Sequence, residues 1–172
     1  MQHIILGGGC FWCTESVFLS LKGVQSVVSG YAGGTAQTAD YETVCTGQTG
    51  HVEVIDVTFD ENVIDLSVIL DVFFATHDPT TPNRQGNDIG TQYASVIFYT
   101  DGAQLDVIHD KINALKADGI AVVTQVRPAP EFYQAEDYHQ NFFAKNPAQS
   151  YCNFAIPPKL AKLRANFSEY LK

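Results

Sequence analysis

The sequence predicts a single α+β domain, a mixed β-sheet flanked by helices. Three observations predict it. Short apolar, strand-like runs interleave with segments of helical periodicity, which calls for a sheet covered by helices. Several of the strand candidates are short and their connections uneven, which favours α+β over a regular α/β repeat. A chain of 172 residues, 45% hydrophobic, has the size and composition of one globular unit, able to bury roughly two-thirds of its unfolded surface.

In chain order, His3-Ile4-Ile5-Leu6 reads as a short buried strand, followed by three glycines that permit a tight turn. Residues 10–21 form a helix with Phe11, Val17, Phe18 and Leu21 as an apolar stripe. Residues 24–30 give a second strand, and the polar stretch 35–50 reads mainly as loop. Residues 52–59 are the clearest strand, although the alternation slips at Ile55-Asp56. Residues 66–75 read as a helix with Asp65 as N-cap. The connection from His77 to Gly90 holds two prolines and two glycines, so a continuous helix is implausible there. A strand over 93–99, a helix over 106–116 and a strand over 121–126 follow. A helix is expected from about Ala135 to before Pro147, then a loop carrying Cys152, then a last helix over 157–170. No internal repeat or low-complexity linker appears.

The charge balance, 19 acidic against 10 basic side chains, disfavours binding to a nucleic-acid backbone. No stretch approaches the length of a membrane span, and the N-terminus lacks the basic region of a secretory signal. Four cysteines are too few for a disulfide-stapled secreted scaffold. Cysteines used for chemistry in a reducing, cytoplasmic setting is the better reading. No oligomerisation surface is evident, and a monomer is expected.

The segment Gly7-Gly8-Gly9-Cys10-Phe11-Trp12-Cys13 carries the chemistry. Its glycines fit neither the dinucleotide fingerprint nor a P-loop. At a helix start, unpaired N–H groups and the helix dipole favour a thiolate at Cys10. The plainer reading is a small cysteine packed beside a turn. Cys13 lies three residues on, so sulfur exchange with Cys10 is physically possible. A structural zinc site would want four convergent ligands, and no second close Cys-x-x-Cys pair exists. Phe11 and Trp12 are equally suited to core packing or to enclosing a methyl or thioether group.

Taken in order, Gly9-Cys10-Phe11-Trp12, Tyr41-Glu42, Val44-Cys45, Thr49-Gly50-His51-Val52-Glu53-Val54, His77-Asp78-Pro79-Thr80-Thr81, Asn83-Arg84-Gln85-Gly86-Asn87-Asp88, Gly90-Thr91-Gln92-Tyr93, Phe132-Tyr133 and Ala135-Glu136-Asp137-Tyr138-His139-Gln140 resemble the peptide methionine sulfoxide reductase A family. The resemblance covers essentially the whole chain, so residues 1–172 are expected to be one such domain, with 146–172 a C-terminal segment carrying a resolving cysteine. It implies a ferredoxin-like two-layer core and reduction of the S epimer of free or peptide-bound methionine sulfoxide, a protein-repair activity under oxidative stress. It implies Cys10 as attacking cysteine and Glu53 as proton donor. Tyr41, Asp88 and Tyr93 stand around the sulfoxide oxygen, and Phe11 and Trp12 receive the substrate methyl group. No bound cofactor or metal is implied; an external thiol reductant, thioredoxin, is the expected partner.

After attack, Cys10 would be left as a sulfenic acid that another thiol condenses with. The segment Asn146-Pro147 to Tyr151-Cys152 resembles a resolving-cysteine loop, and Cys152 is ranked first for that role. Cys13 stands where the family commonly has glycine, and it remains an alternative resolver. Cys45 reads as structural. Val52 replaces a common alanine and Ile89 a common arginine, and no later cysteine follows Cys152. His51 reads as a structural hydrogen-bonding residue. Two other readings stay open from the residues alone: a general thiol-disulfide oxidoreductase using Cys10 and Cys13, and a noncatalytic module binding methionine-containing peptides.

Overall fold

The computed structural model describes residues 1–172. Its centre is a six-stranded sheet of β1 (Gln2–Gly8), β2 (Val24–Ala32), β3 (Val52–Phe59), β6 (Ser95–Tyr99), β7 (Gln125–Pro128) and β8 (Phe132–Gln134). The spatial order is β7-β6-β1-β3-β2-β8, antiparallel except for the parallel pair β6–β7. The inner four strands run β6-β1-β3-β2, and helices α1 (Phe11–Leu19) and α3 (Leu66–Thr76) follow β1 and β3. That is the split βαβ arrangement of a ferredoxin-like core. Helix α4 (Gln104–Ala117) connects β6 to β7, and α6 (Ser150–Asn166) packs on α1 and α3.

Alternation along the strands sorts side chains between two faces. On β3, Ile55, Val57 and Phe59 join Ile4 and Leu6 of β1 under the helices, where Phe11, Phe18, Ile69 and Phe73 complete the main core. Val52 and Val54 turn to the other face with Ile5, Val96 and Phe98. Counted in the same frame, Glu53 belongs to the helix-covered face. A carboxyl is therefore placed beneath α1, 2% exposed.

The glycine triplet divides its work differently from expectation. Gly7 and Gly8 remain in β1, where a Cβ on Gly7 would come within 2.8 Å of Val96 and 2.9 Å of Val52. Gly9 alone makes the turn, at φ +95°, a conformation that only glycine adopts freely.

Four expectations are corrected. Residues 121–124 are not strand: Val123 N–H bonds to the Pro79 carbonyl at 2.8 Å, and pairing with β6 begins at Gln125. The helix expected over 135–147 is broken into a 3-10 turn (Asp137–His139) and the short α5 (Phe142–Lys145). Gln140 ends the first piece by bonding both the N–H and the carbonyl of Ser29 on β2, at 3.0 and 2.9 Å, and Asn141 turns left-handed at φ 54°. The last helix begins at Ser150, not at Pro157, because the Gln149 side chain caps it by accepting the Cys152 N–H at 2.8 Å. Pro157 and Pro158 lie inside it, which leaves the Asn153 and Phe154 carbonyls four residues earlier without their usual N–H partners. Cys152 accordingly sits in the first helical turn instead of a loop. Two short features were not anticipated: the edge strand β8 and the helix α2 (Tyr41–Val44). The 77–90 connection also folds back as the two-residue strands β4 (Arg84–Gln85) and β5 (Asp88–Ile89).

Candidate active site

Cys10 is the N-cap residue of α1 and is half-buried. Its carbonyl accepts the Cys13 N–H at 3.1 Å and the Thr14 N–H at 3.4 Å, which starts the helix. Its side chain makes no capping bond, and the thiolate expected of it at a helix start is not favoured: the neighbouring Cys13 thiol, burial and Glu53 hold the Cys10 thiol well above its ordinary range, with only the Trp12 N–H pulling it down. The N–H of Phe11, an orphan donor of the first turn, is taken by Glu53 Oε1 at 3.1 Å. A helix N-terminus favours an ionised carboxylate, but burial wins: the Glu53 carboxyl is pushed up to about 8, with the nearby Asp88 adding to the shift. Glu53 therefore carries a proton at neutral pH and presents a buried acid beside Cys10.

The two thiols of the Cys-x-x-Cys pair are neighbours at the start of α1, and each shifts the other. Cys10 pulls the Cys13 thiol below its usual range; burial opposes the shift, while Lys159 and Tyr151 support it.

A cavity of about 320 Å³ opens at this helix start. Gly8, Cys10, Cys13, Asp88, Tyr151 and Lys159 are among its walls. Asp88 comes from β5 and accepts a hydrogen bond from the Tyr151 hydroxyl of α6, so hairpin and helix close the cavity together. Tyr41 and Tyr93 are half-buried, and their hydroxyls are held protonated, first by burial and then by negative neighbours that include Glu53. Tyr93 also feels Asp88 and Cys10. The fold thus brings Cys10, Cys13, Glu53, Tyr41, Asp88 and Tyr93 to one region.

The aromatic pair behaves asymmetrically. Phe11 is fully buried in the main core and presents no surface to the cavity. Trp12 is half-exposed, lies flat on Phe142 with ring centroids 3.8 Å apart and planes at 7°, and donates its indole N–H to His139 Nδ1 at 2.9 Å. Tyr41 stacks nearby at 6.4 Å.

Cys152 is completely buried beside Cys13 and Ile156, and burial pushes its thiol up to about 11. Cys45 is exposed at the end of α2. His51 is bonded on both ring nitrogens, to the Gly34 N–H at 3.1 Å and the Thr35 carbonyl at 2.8 Å, and joins two loops. No group of three or more His, Cys, Asp or Glu side chains is arranged to hold a metal ion, and no helix is long and apolar enough to cross a membrane.

Sequence reasoning assigned no role to several residues that build the site. Glu136 accepts from the Tyr41 N–H at 3.1 Å and from the Tyr31 hydroxyl at 2.8 Å, which anchors α2 to the sheet. Glu15 is 1% exposed and accepts from Ser29 Oγ at 3.2 Å and the Phe142 N–H at 3.3 Å, setting the residue on which Trp12 rests. The signal for Glu15 was an acid one helical turn beyond Phe11 and Trp12, within an otherwise apolar helix. Tyr151 was visible only as part of the segment around Cys152, and Phe142 and Lys159 carried no comparable signal.

A family profile described as Peptide methionine sulfoxide reductase matches residues 2–171. A relative from Psychrobacter cryohalolentis, named Peptide methionine sulfoxide reductase MsrA, is 71% identical over 171 residues, 99% of each chain. Mxr1 from Saccharomyces cerevisiae in reduced form superposes with a TM-score of 0.82 at 36% identity, over 91% of this chain and 89% of that one. The same yeast protein in complex with Trx2 gives a TM-score of 0.57 at 26% identity, over 82% of this chain and 84% of that one. With a profile match across nearly every residue and a site built on the motifs that first suggested it, this chain belongs to the peptide methionine sulfoxide reductase family.

Proposed function

We propose that this protein reduces the S epimer of free or peptide-bound methionine sulfoxide, with Cys10 attacking sulfur and Glu53 protonating the departing oxygen. The observation that carries the reading is the shared helix start: an available thiol at the N-cap, and a protonated carboxyl bonded to the next N–H. A sulfoxide has an electrophilic sulfur and a basic oxygen, so it needs a nucleophile and an acid in one pocket. Tyr41 and Tyr93 keep their protons and donate to the developing charge on oxygen, and Asp88 orients the donors around it. Trp12, held by Phe142 and His139, receives the substrate methyl group, with Phe11 packed behind the helix turn.

As Cys10 attacks, its proton passes to the neighbouring Cys13 sulfur, the thiol of the pair that is held below its ordinary range. The Glu53 proton joins the sulfoxide oxygen, and the oxygen stays with Cys10 as a sulfenic acid while methionine leaves. Cys13 then displaces hydroxide, which leaves as water, and forms the Cys10–Cys13 disulfide. Cys13 is favoured over Cys152 for this step because it already contacts Cys10, whereas Cys152 is buried behind it with a raised thiol. Cys152 is placed for the next exchange, with Cys13. An external dithiol, thioredoxin, then restores the thiols, a reading supported by the Mxr1–Trx2 complex. The cytoplasm suits a protein whose four cysteines are all free.

The test is reduction of separated methionine sulfoxide epimers by the intact protein and by Cys10→Ser. S-epimer turnover that disappears in the variant is expected. Turnover retained by Cys10→Ser excludes the mechanism, and disulfide exchange without any sulfoxide reduction favours a general oxidoreductase.

A further inference from the structure

Helix α6 carries one more residue into the cavity. Tyr151, Ala155 and Lys159 recur at four-residue intervals, so they form one row along the helix, and all three line the cavity that contains Cys10 and Cys13. Lys159 is the only cationic side chain in that wall. Its stem is half-buried, and its ammonium donates to the carbonyl of Thr76, the last residue of α3, which fixes it across the gap between the helices. A half-buried ammonium in a chain of net charge −9 needs a local reason. The Thr76 carbonyl takes one of its three protons; burial pulls the ammonium below its ordinary range, and the Cys13 sulfur, which lines the same cavity, is the first group that supports its charge.

We propose that Lys159 is a positioning residue for recycling: its ammonium holds Cys13 as the thiolate that attacks the Cys10 sulfenic acid. The inference rests on the reading of Cys10 as the oxidised thiol. In the step concerned, the S–O bond of the Cys10 sulfenic acid breaks and a Cys10–Cys13 bond forms. The proton that Cys13 took up from Cys10 in the first step passes to the leaving hydroxide, giving water, and Lys159 stabilises the thiolate as that proton departs; Cys10 is reduced from the sulfenic state and Cys13 is oxidised, so no outside oxidant is needed. Other charged or titratable groups facing Cys13 are Cys10 on its own helix, Glu53 from β3, Asp88 from β5, and Tyr151 and Cys152 from α6. Glu53 is neutral at pH 7, and Asp88 opposes the thiolate. Lys159 is the one positive charge among them.

The experiment follows loss of free thiols after one equivalent of methionine sulfoxide, without reductant, across pH 6–10, in the intact protein, Lys159→Met and Lys159→Arg, with the linkage mapped by mass spectrometry. A parallel series uses hydrogen peroxide, which oxidises Cys10 to the same sulfenic acid and keeps the second step readable even if sulfoxide reduction fails. Lys159→Met should close the Cys10–Cys13 disulfide about tenfold more slowly at pH 7, with its pH midpoint about one unit higher. Lys159→Arg should restore both. Closure in Lys159→Met matching the intact protein at every pH, or a slow rate with an unmoved midpoint, overturns the proposal. So does a first disulfide that joins Cys10 to Cys152. Peroxide-driven closure with the expected pH shift but no sulfoxide reduction would leave the role of Lys159 standing and remove the substrate assignment.

Discussion

The N–H of Phe11 donates to the carboxyl of Glu53 at 3.1 Å, so the acid is held by the same helix turn that presents Cys10. Donor and nucleophile share one rigid mount. The distance between them is set by the packing of α1 on β3 and not by a loop.

Glu53 must be protonated to act as an acid, and its carboxyl sits at about 8. Single-turnover methionine formation should therefore hold through neutral pH and fall as pH rises through about 8. Glu53→Gln should slow it by about 10²-fold or more at pH 7. A rate in the variant equal to that of the intact protein would contradict the assignment.

The same shift links to stability. The ordinary carboxyl value is 4.5 and the folded value about 8, so between these the folded state binds more protons than the unfolded one. Stability from this group is complete below 4.5 and declines as pH rises to about 8, at up to roughly 1.4 kcal/mol per pH unit. Urea unfolding of Glu53→Gln should show a flatter profile over that window. An identical slope in both proteins would show that the acid is already ionised in the fold.

Much of this was readable beforehand, because periodicity carries it. Strand β3 and helix α3 follow their apolar spacing closely. Glu53 was legible only through the family resemblance: the slip at Ile55-Asp56 hides the frame that puts the acid on the same face as Ile55, Val57 and Phe59. The start of α6 was not readable, because prolines usually open helices and the cap that opens this one is a side chain of Gln149. Nor was the break near Asn141, which depends on Gln140 reaching a strand more than a hundred residues away. Phe142 reaches Trp12 only because of that break.

Trp12 is the sole tryptophan of the chain, so its surroundings can be followed directly. Phe142→Ala removes a ring stacked at 3.8 Å, an interaction of about 0.5–1.5 kcal/mol. Emission should shift to longer wavelength, and KM for a sulfoxide peptide should rise by about 2- to 10-fold, with a smaller change in kcat. A changed kcat with constant KM would place Trp12 outside substrate binding.

Gly9→Ala puts a Cβ 2.8 Å from Gln85 at a backbone φ of +95°. Denaturant unfolding should show a loss of about 1–3 kcal/mol. Alkylation of Cys10 should change in rate as well, since the distortion falls on the adjoining residue. Unaltered stability would mean that the β1–α1 corner adjusts freely.

The proline pair in α6 reaches beyond helix geometry. Without N–H groups at 157 and 158, two rungs are missing from the ladder between Cys152 and Lys159. The first two turns of the helix are thereby joined to the rest by fewer backbone bonds, and the Gln149 cap, the Tyr151–Asp88 bond and the packing of Cys152 and Ile156 hold them instead. The intact protein should exchange amides over 151–156 faster than over 160–166, and faster still once Cys10 and Cys13 are joined.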